Sequence, residues 1–145
     1  MPEPMQTLYD DVLYPSAPYP QTHPDRLATL ATLFGMQPAP VERCRVLELG
    51  CNDGSNLIAM AYSLPQSQFV GIDLAERPIA KGQATIEALE IKNLTLHRLD
   101  LRHTPADLGR FDFIIAHGLY SWVLSNVASK ATGIGAGSTR NRAST

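Results

Sequence analysis

The sequence predicts an open, doubly wound parallel α/β sheet, and three observations predict it. First, Val46-Leu-Glu-Leu-Gly-Cys-Asn-Asp-Gly-Ser-Asn56 is an apolar run that ends in a short loop with two glycines and then passes into an amphipathic segment. Such a loop lets a ligand approach bare backbone at the carboxyl end of a strand, where open α/β sheets bind their ligands. Second, the apolar run Phe69-Val-Gly-Ile72 closes on Asp73, roughly twenty residues further on. That spacing puts a carboxylate at the tip of the neighbouring strand, within reach of a ribose. Third, strand-like and helix-like segments follow one another as βαβαβ…β, which calls for a parallel sheet. Right-handed crossovers then place helices on both faces.

The elements follow in order. Residues 1–24 are rich in proline, with Tyr9, Tyr14 and Tyr19 interleaved; Pro15, Pro18, Pro20 and Pro24 favour an extended arm over regular helix. Asp25–Phe34 has Leu27, Leu30, Ala31 and Phe34 at helical spacing on one face, with Gly35 as C-cap. Pro38 and Pro40 mark the link to the first strand, Cys44–Leu49, whose near-continuous apolar character suits burial on both faces. A helix over Ser55–Leu64 ends before Pro65, and Phe69–Asp73 is the second strand. Ala75–Glu90 is the next helix, with Pro78 in its first turn and Ile79, Gln83, Ile86 and Leu89 near one face. Leu94–Leu99 alternates more, as an outer strand does. A loop with Pro105 and Gly109 leads to the fourth strand, Phe111–Ala116. From about Leu124, Ser, Thr, Gly and Ala dominate, with Lys130, Arg140 and Arg142 but no acid, which reads as a flexible tail. The expected organisation is an arm (1–24), one α/β domain (25–123) and a tail (124–145).

Composition sets the outer bounds. A chain of 145 residues, 44% apolar and 18% charged, fits one globular domain. A net charge of −2 gives no strong nucleic-acid or anionic-membrane signal. The amino terminus has neither the basic region nor the apolar stretch of a secretory signal, and no apolar run approaches the ~20 residues that span a bilayer. Cys44 and Cys51 are too few for a disulfide scaffold and fit no metal knuckle. The expectation is a cytoplasmic protein with reduced thiols.

Taken together, the motifs resemble a known family. Glu48-Leu-Gly-Cys-Asn-Asp-Gly54 resembles the first motif of class I S-adenosylmethionine-dependent methyltransferases, and Asp73 resembles the acid that ends their second strand. Leu99-Asp100-Leu101 resembles the pair after their third strand, and Phe111-Asp-Phe-Ile-Ile-Ala116 their fourth strand. The run from Phe111 to Val123 and the arm from Tyr14 to Arg26 are similar to a bacterial subgroup often seen with an appended regulatory domain. The resemblance covers about residues 8–123 and implies a Rossmann-like sheet that is partial here, with about four strands of the family's usual seven. The chain is thus read as C-terminally truncated. Truncation would leave the fourth strand as an apolar edge that templates self-association. Asn52 stands where the family has its middle glycine, and asparagine tolerates positive φ better than most residues.

The implied cofactor is S-adenosyl-L-methionine, lying against Glu48, Gly50, Cys51, Asn52, Gly54, Asp73, Leu74, Asp100, Leu101 and His117. A dinucleotide fits worse. The Gly-x-Gly-x-x-Gly fingerprint fails at Asn52 and Ser55, and Glu48 with Asp53 would repel a pyrophosphate, whereas a sulfonium and an ammonium tolerate an acidic rim. Asp73 would take both ribose hydroxyls, or else cap the helix that follows. Gly50 and Gly54 either seat the methionine part against backbone or simply make a tight turn. Glu48 either fixes the loop through backbone N–H groups or reaches the cofactor's amino group through water. Asp100 would accept the adenine amino hydrogen while the Leu101 N–H donates to the ring; an ordinary loop acid is the alternative.

His117, at the end of the fourth strand, either orients an acceptor or acts as a base, against a purely structural role. His23, His97 and His103 are assigned solvent or capping roles. Tyr120 and Trp122 either line an acceptor pocket or pack, and Tyr9 and Tyr14 either form a lid or belong to a strapped-down arm. No Asn-Pro-Pro-Tyr motif of exocyclic-amine methylation follows the fourth strand. The activity implied is methyl transfer to a small-molecule or protein acceptor. The alternatives are a non-catalytic S-adenosylmethionine-binding remnant and, less favoured, a nicotinamide-dependent oxidoreductase.

Overall fold

The computed structural model describes residues 15–101 and 108–117. Its helices are α1 (Pro24–Leu33), α2 (Ser55–Ser63) and α3 (Glu76–Ala88), and its strands are β1 (Arg45–Leu49), β2 (Gln68–Asp73), β3 (Leu94–Arg98) and β4 (Phe113–Ile115). The strands form one parallel sheet in the order β3-β2-β1-β4. The chain moves outward from β1 to β3 and then returns past β1 to lay down β4. The direction therefore switches beside β1, where sheets of this kind open a ligand crevice. As its alternating pattern predicts, β3 lies at an edge of the sheet formed by the described residues. Among the described residues β4 pairs with β1 alone, so the edge at which the sequence expects self-association lies there.

Strand alternation divides the core in two. Val46, Phe69, Leu94, Leu96, Phe113 and Ile115 face Leu57, Met60 and Ala61 of α2, Ile79 of α3 and, at its margin, Leu27 and Ala28 of α1. Leu47, Leu49, Ile72 and Phe111 form a second cluster with Val70, Leu99, Leu101, Leu108 and Ile114. Helices on both faces are expected from the sequence, but among the described residues all three pack on the first face. For α2 and α3 the reason is topological: two crossovers of one hand that step in one direction must lie on the same side of the sheet.

Several local readings hold and several shift. Gly35 adopts φ +77°, its N–H bonds the Thr32 carbonyl and the Met36 N–H that of Ala31, which closes α1 as a Schellman motif. The face assigned to α1 holds at Leu27 and Ala31 but not at Leu30 and Phe34: Phe34 is 82% exposed and Leu30 is exposed, while Pro24 and Ala28 complete the inward stripe. On α3 the inward seam is Ile79, Gly82 and Ile86, whereas Gln83 and Leu89 are exposed. The fourth strand is shorter than Phe111–Ala116. The Asp112 carboxylate takes the Arg45 N–H at 2.7 Å and its own N–H bonds the Arg45 carbonyl, so pairing with the neighbouring strand begins beyond it.

One side chain stitches the far end of the layers together. Asn93 Nδ2 lies 2.9 to 3.1 Å from the carbonyls of Ala61, Leu64 and Ser67. These are the last turn of α2 and the entry to β2, whose carbonyls have no partner inside the helix. Asn93→Ala is expected to destabilise the fold by about 1–3 kcal/mol, the cost of stranding partly buried acceptors, measured by urea unfolding. A loss below about 0.5 kcal/mol would show that water replaces the amide.

Candidate functional site

The site begins where β1 ends. The N–H groups of Gly50 and Cys51 both donate to the Ile72 carbonyl, which holds the loop against β2 for two residues beyond the strand. The chain then turns through left-handed conformations at Gly50 (φ +72°), Asn52 (φ +52°) and Gly54 (φ +72°). Asn52 thus adopts the backbone that a glycine would otherwise supply. Gly54 is the N-cap of α2 and brings no side chain. Asp53 caps instead, its Oδ1 accepting from the Ser55 N–H (3.1 Å) and Oγ (2.7 Å).

Asp53 is a node rather than a rim charge. It is 4% exposed, and it also accepts from Lys81 Nζ of α3 at 2.8 Å and from Ser16 Oγ of the amino-terminal segment. Burial pushes its carboxyl up, but the Lys81, Ser16 and Ser55 donors outweigh burial and hold it down at about 2. Lys81 balances this charge, so Asp53 adds little to the net potential of the loop.

Glu48 is different. It lies on the helix-bearing face of β1, 3% exposed, beside Gly71 of β2 and Ile115 of β4 in register. Its Oε1 accepts from Asn56 Nδ2 of α2 at 2.9 Å. Its Oε2 is buried with no hydrogen-bond partner among the described residues. Burial raises its carboxyl to about 7, the Asn56 donor opposes the rise, and the Asp73 charge adds to it. A buried acceptor without a donor costs about 1–3 kcal/mol, so such an atom in a ligand crevice marks a place for a donor.

Asp73 joins the second strand to the loop. Its Oδ2 accepts the Asn52 N–H at 2.8 Å and its Oδ1 accepts the Ala75 N–H at 2.9 Å, at the start of α3. The Ala75 bond makes a turn just ahead of α3 rather than a cap, because Ala75 is itself the N-cap residue and α3 receives no side-chain cap. Asp73 has room for more, because a half-buried carboxylate has about four lone-pair sites and these bonds fill two.

The other sequence-selected residues surround this corner. Cys51 turns its thiol inward, where a Cβ on Gly71 would meet it at 2.8 Å, and burial pushes the thiol strongly up, so only its backbone can face a ligand. Leu74 is half-buried, its carbonyl accepting from Arg98 Nε at 3.3 Å. Asp100 and Leu101 are half-buried just past β3. His117 is exposed just past β4 and stacks on Tyr19, ring centroids 4.0 Å apart. Glu48, Gly50, Cys51, Asn52, Gly54 and Asp73 thus share one corner, with Asp100 and Leu101 beyond one neighbouring strand and His117 beyond the other. His23 caps α1, its Nδ1 accepting the Asp25 N–H. Tyr9, Tyr14, His103, Tyr120, Trp122 and the tail lie outside the described residues.

Sequence reasoning missed Ser16, Tyr19, Thr22, Asn56 and Lys81 as parts of this corner. Residues 15–23 run across it: Ser16 reaches Asp53, the Tyr19 N–H bonds Asn56 Oδ1 at 2.7 Å, and Thr22 Oγ1 accepts from Asn56 Nδ2 at 3.0 Å. The one available signal was Asn56 itself, a polar residue next to the inward Leu57 on an otherwise apolar helix face. Among the described residues no helix is long and apolar enough to cross a membrane.

Comparison with known proteins agrees with this geometry. The profile of a methyltransferase domain matches residues 46–132, running past Val123, where the resemblance read from the sequence stops. The chain is 40% identical to an uncharacterized protein of Rickettsia prowazekii over 84% of its own length and 49% of that protein's. A second uncharacterized protein of that organism is 43% identical over 84% of this chain and 22% of its own. The structure is similar to that of PKMT2 from Rickettsia typhi, solved in complex with AdoHcy, with a TM-score of 0.80, 34% identity, and coverage of 85% of this chain and 25% of that one. The chain thus spans about half or less of the length of these relatives. A parallel sheet switching direction beside β1, a left-handed loop at that point and a profile match over most of the chain give one conclusion: the chain belongs to the methyltransferase-domain family.

Proposed function

We propose that this corner binds S-adenosyl-L-methionine and forms the cofactor-holding part of a methyltransferase acting on a small-molecule or protein acceptor. The observation that carries this reading is the buried Oε2 of Glu48, an acceptor with no donor among the described residues, at the switch point of the sheet. The residues present fit such a cofactor. Its ammonium would find Glu48, its ribose hydroxyls the remaining lone pairs of Asp73, its methionine part the turn at Gly50, Asn52 and Gly54, and its adenine Asp100 and Leu101. A pyrophosphate suits the corner poorly, because Glu48 and Asp73 would face it while Lys81 is held on Asp53.

When bound, the cofactor supplies an activated methyl group on a sulfonium. The chain's part is to hold, align and dehydrate, which is where most of the rate of an in-line displacement arises. On this reading His117, exposed and stacked on Tyr19, would orient an acceptor or relieve it of a proton. The test is calorimetric titration of the full chain with S-adenosylmethionine and, separately, with NADH. Binding with a Kd of about micromolar for the first, equivalent to about 8 kcal/mol, and no heat for the second is expected. No heat with either ligand from a folded sample would end the cofactor reading. Binding without transfer to any acceptor would support a binding remnant.

A further inference from the structure

We propose that Asn56 is a positioning residue that ties the seating of residues 15–23 to the aim and charge of Glu48, so that this strap and the cofactor's amino group bind cooperatively. The inference rests on the cofactor site proposed above and goes beyond it, assigning the strap a role in the affinity of that site.

The geometry is that of a relay. The Asn56 side chain is 4% exposed and bonds three groups from two separate parts of the chain. Its Oδ1 accepts the Tyr19 N–H at 2.7 Å, and its Nδ2 donates to Thr22 Oγ1 at 3.0 Å and to Glu48 Oε1 at 2.9 Å. An amide has one acceptor and two N–H donors, and here each type is engaged. With the strap seated, the Tyr19 N–H must meet Oδ1, which forces Nδ2 toward Glu48. With the strap lifted, nothing on that side holds the amide plane, and turning it over would set Oδ1 against the carboxylate. The Asn56 donor favours the ionised form of Glu48, so losing it leaves the carboxyl more readily protonated. A protonated carboxyl attracts an ammonium far less than a carboxylate does.

The surroundings of Glu48 leave this amide as its chief favourable partner. From β2 it faces Asp73 and from the loop Cys51, while the charge of Asp53 in that loop is neutralised by Lys81 of α3. From β4 its register partner is the apolar Ile115. The strap offers Tyr19 and Thr22, which are neutral, and His117 beyond β4 stacks on Tyr19. The ammonium of the cofactor would give Glu48 a cationic partner, since Lys81, the described cation of this corner, is held on Asp53. By reciprocity, a strap that favours cofactor binding is itself held down by the cofactor to the same degree.

The test follows the Glu48 carboxyl by carbon NMR in the ligand-free full chain, and S-adenosylhomocysteine affinity by calorimetry from pH 6 to 8.5. The proteins are wild type, Asn56→Ala and Thr22→Val. The last removes one strap contact without touching the α2 core, and serves if Asn56→Ala fails to fold. Glu48 is expected to titrate near 7 in the wild type, higher in Asn56→Ala, and higher by less in Thr22→Val, which loosens the strap but keeps the Asn56 donor. Affinity is expected to fall about 10-fold in Asn56→Ala at pH 6.5, within the usual range of site-to-site coupling, and by less in Thr22→Val, and in both to recover toward wild type at pH 8.5. Residues 19–22 are expected to exchange amide hydrogens more slowly once S-adenosylhomocysteine is bound. A purely structural Asn56 would weaken binding equally at all pH. That result, or an unmoved Glu48 titration, overturns the proposal. If the wild type binds no S-adenosylhomocysteine, the cofactor reading and the cooperativity fail together, and the Glu48 titrations still show whether the relay exists.

Discussion

Asp73→Ala is expected to weaken S-adenosylmethionine binding by about two to four orders of magnitude. Two hydrogen bonds from ribose hydroxyls to an ionised acceptor are worth about 1.5–3 kcal/mol each, and every 1.4 kcal/mol is tenfold in affinity. The structure adds a second reason for a large effect. The same carboxylate holds the Asn52 and Ala75 N–H groups, so its loss also loosens the left-handed turn before the ligand arrives. Asp73→Asn separates the two contributions, since it keeps one acceptor oxygen but sets an amide against one of those N–H groups. It is expected to bind more weakly than wild type and to melt at a lower temperature. A folded Asp73→Ala protein within threefold of wild-type affinity would remove the ribose from this residue.

The second large effect concerns a residue with no chemistry of its own. At Gly82 a Cβ would lie 2.2 Å from the Asp53 carbonyl oxygen and 2.5 Å from Leu96 Cδ1. The missing side chain is what lets α3 lie directly on the loop, close enough for Lys81 to reach Asp53. Gly82→Ala sets two effects against each other: about 1 kcal/mol gained in helix propensity, and about 1–3 kcal/mol lost to overpacking. The near neighbour is backbone, which cannot rotate out of the way, so the steric cost wins and the protein is expected to lose stability. Gly82→Val is expected to lose at least ~3 kcal/mol and cofactor binding with it, by pushing Asp53 and its loop off α3. Urea unfolding measures both. A more stable Gly82→Ala protein would show that α3 shifts at little cost.

Much of this was legible in the chain. Continuous apolar runs at Val46 and Phe69 marked buried parallel strands, the alternation of Leu94–Leu99 marked an edge, and Gly35 marked the end of α1. The turn at Gly50, Asn52 and Gly54 and the acid at Asp73 were legible for the same reason. Each is a local demand, on backbone φ or on the residue at a strand end, that only a few residue types satisfy. The inward face of α1 was legible only in part. Leu30 and Phe34 have the right spacing, yet which stripe of a helix turns inward depends on where the sheet lies, and that is set elsewhere.

The sequence by itself determined the class of sheet, the position of the ligand loop and the acidic character of its rim, because strand burial, turn chemistry and charge are properties of neighbouring residues. Only the tertiary structure decided that Asp53 is neutralised by Lys81 and hydrogen-bonded by Ser16, while Glu48 keeps a buried oxygen without a donor among the described residues. It also decided that Asn56 links the strap to that carboxylate, and that a glycine in α3 makes room for the loop. These partners are far apart in sequence, and no local pattern encodes them. Their energies depend on burial and on distances of about 3 Å, which exist only once the layers have packed.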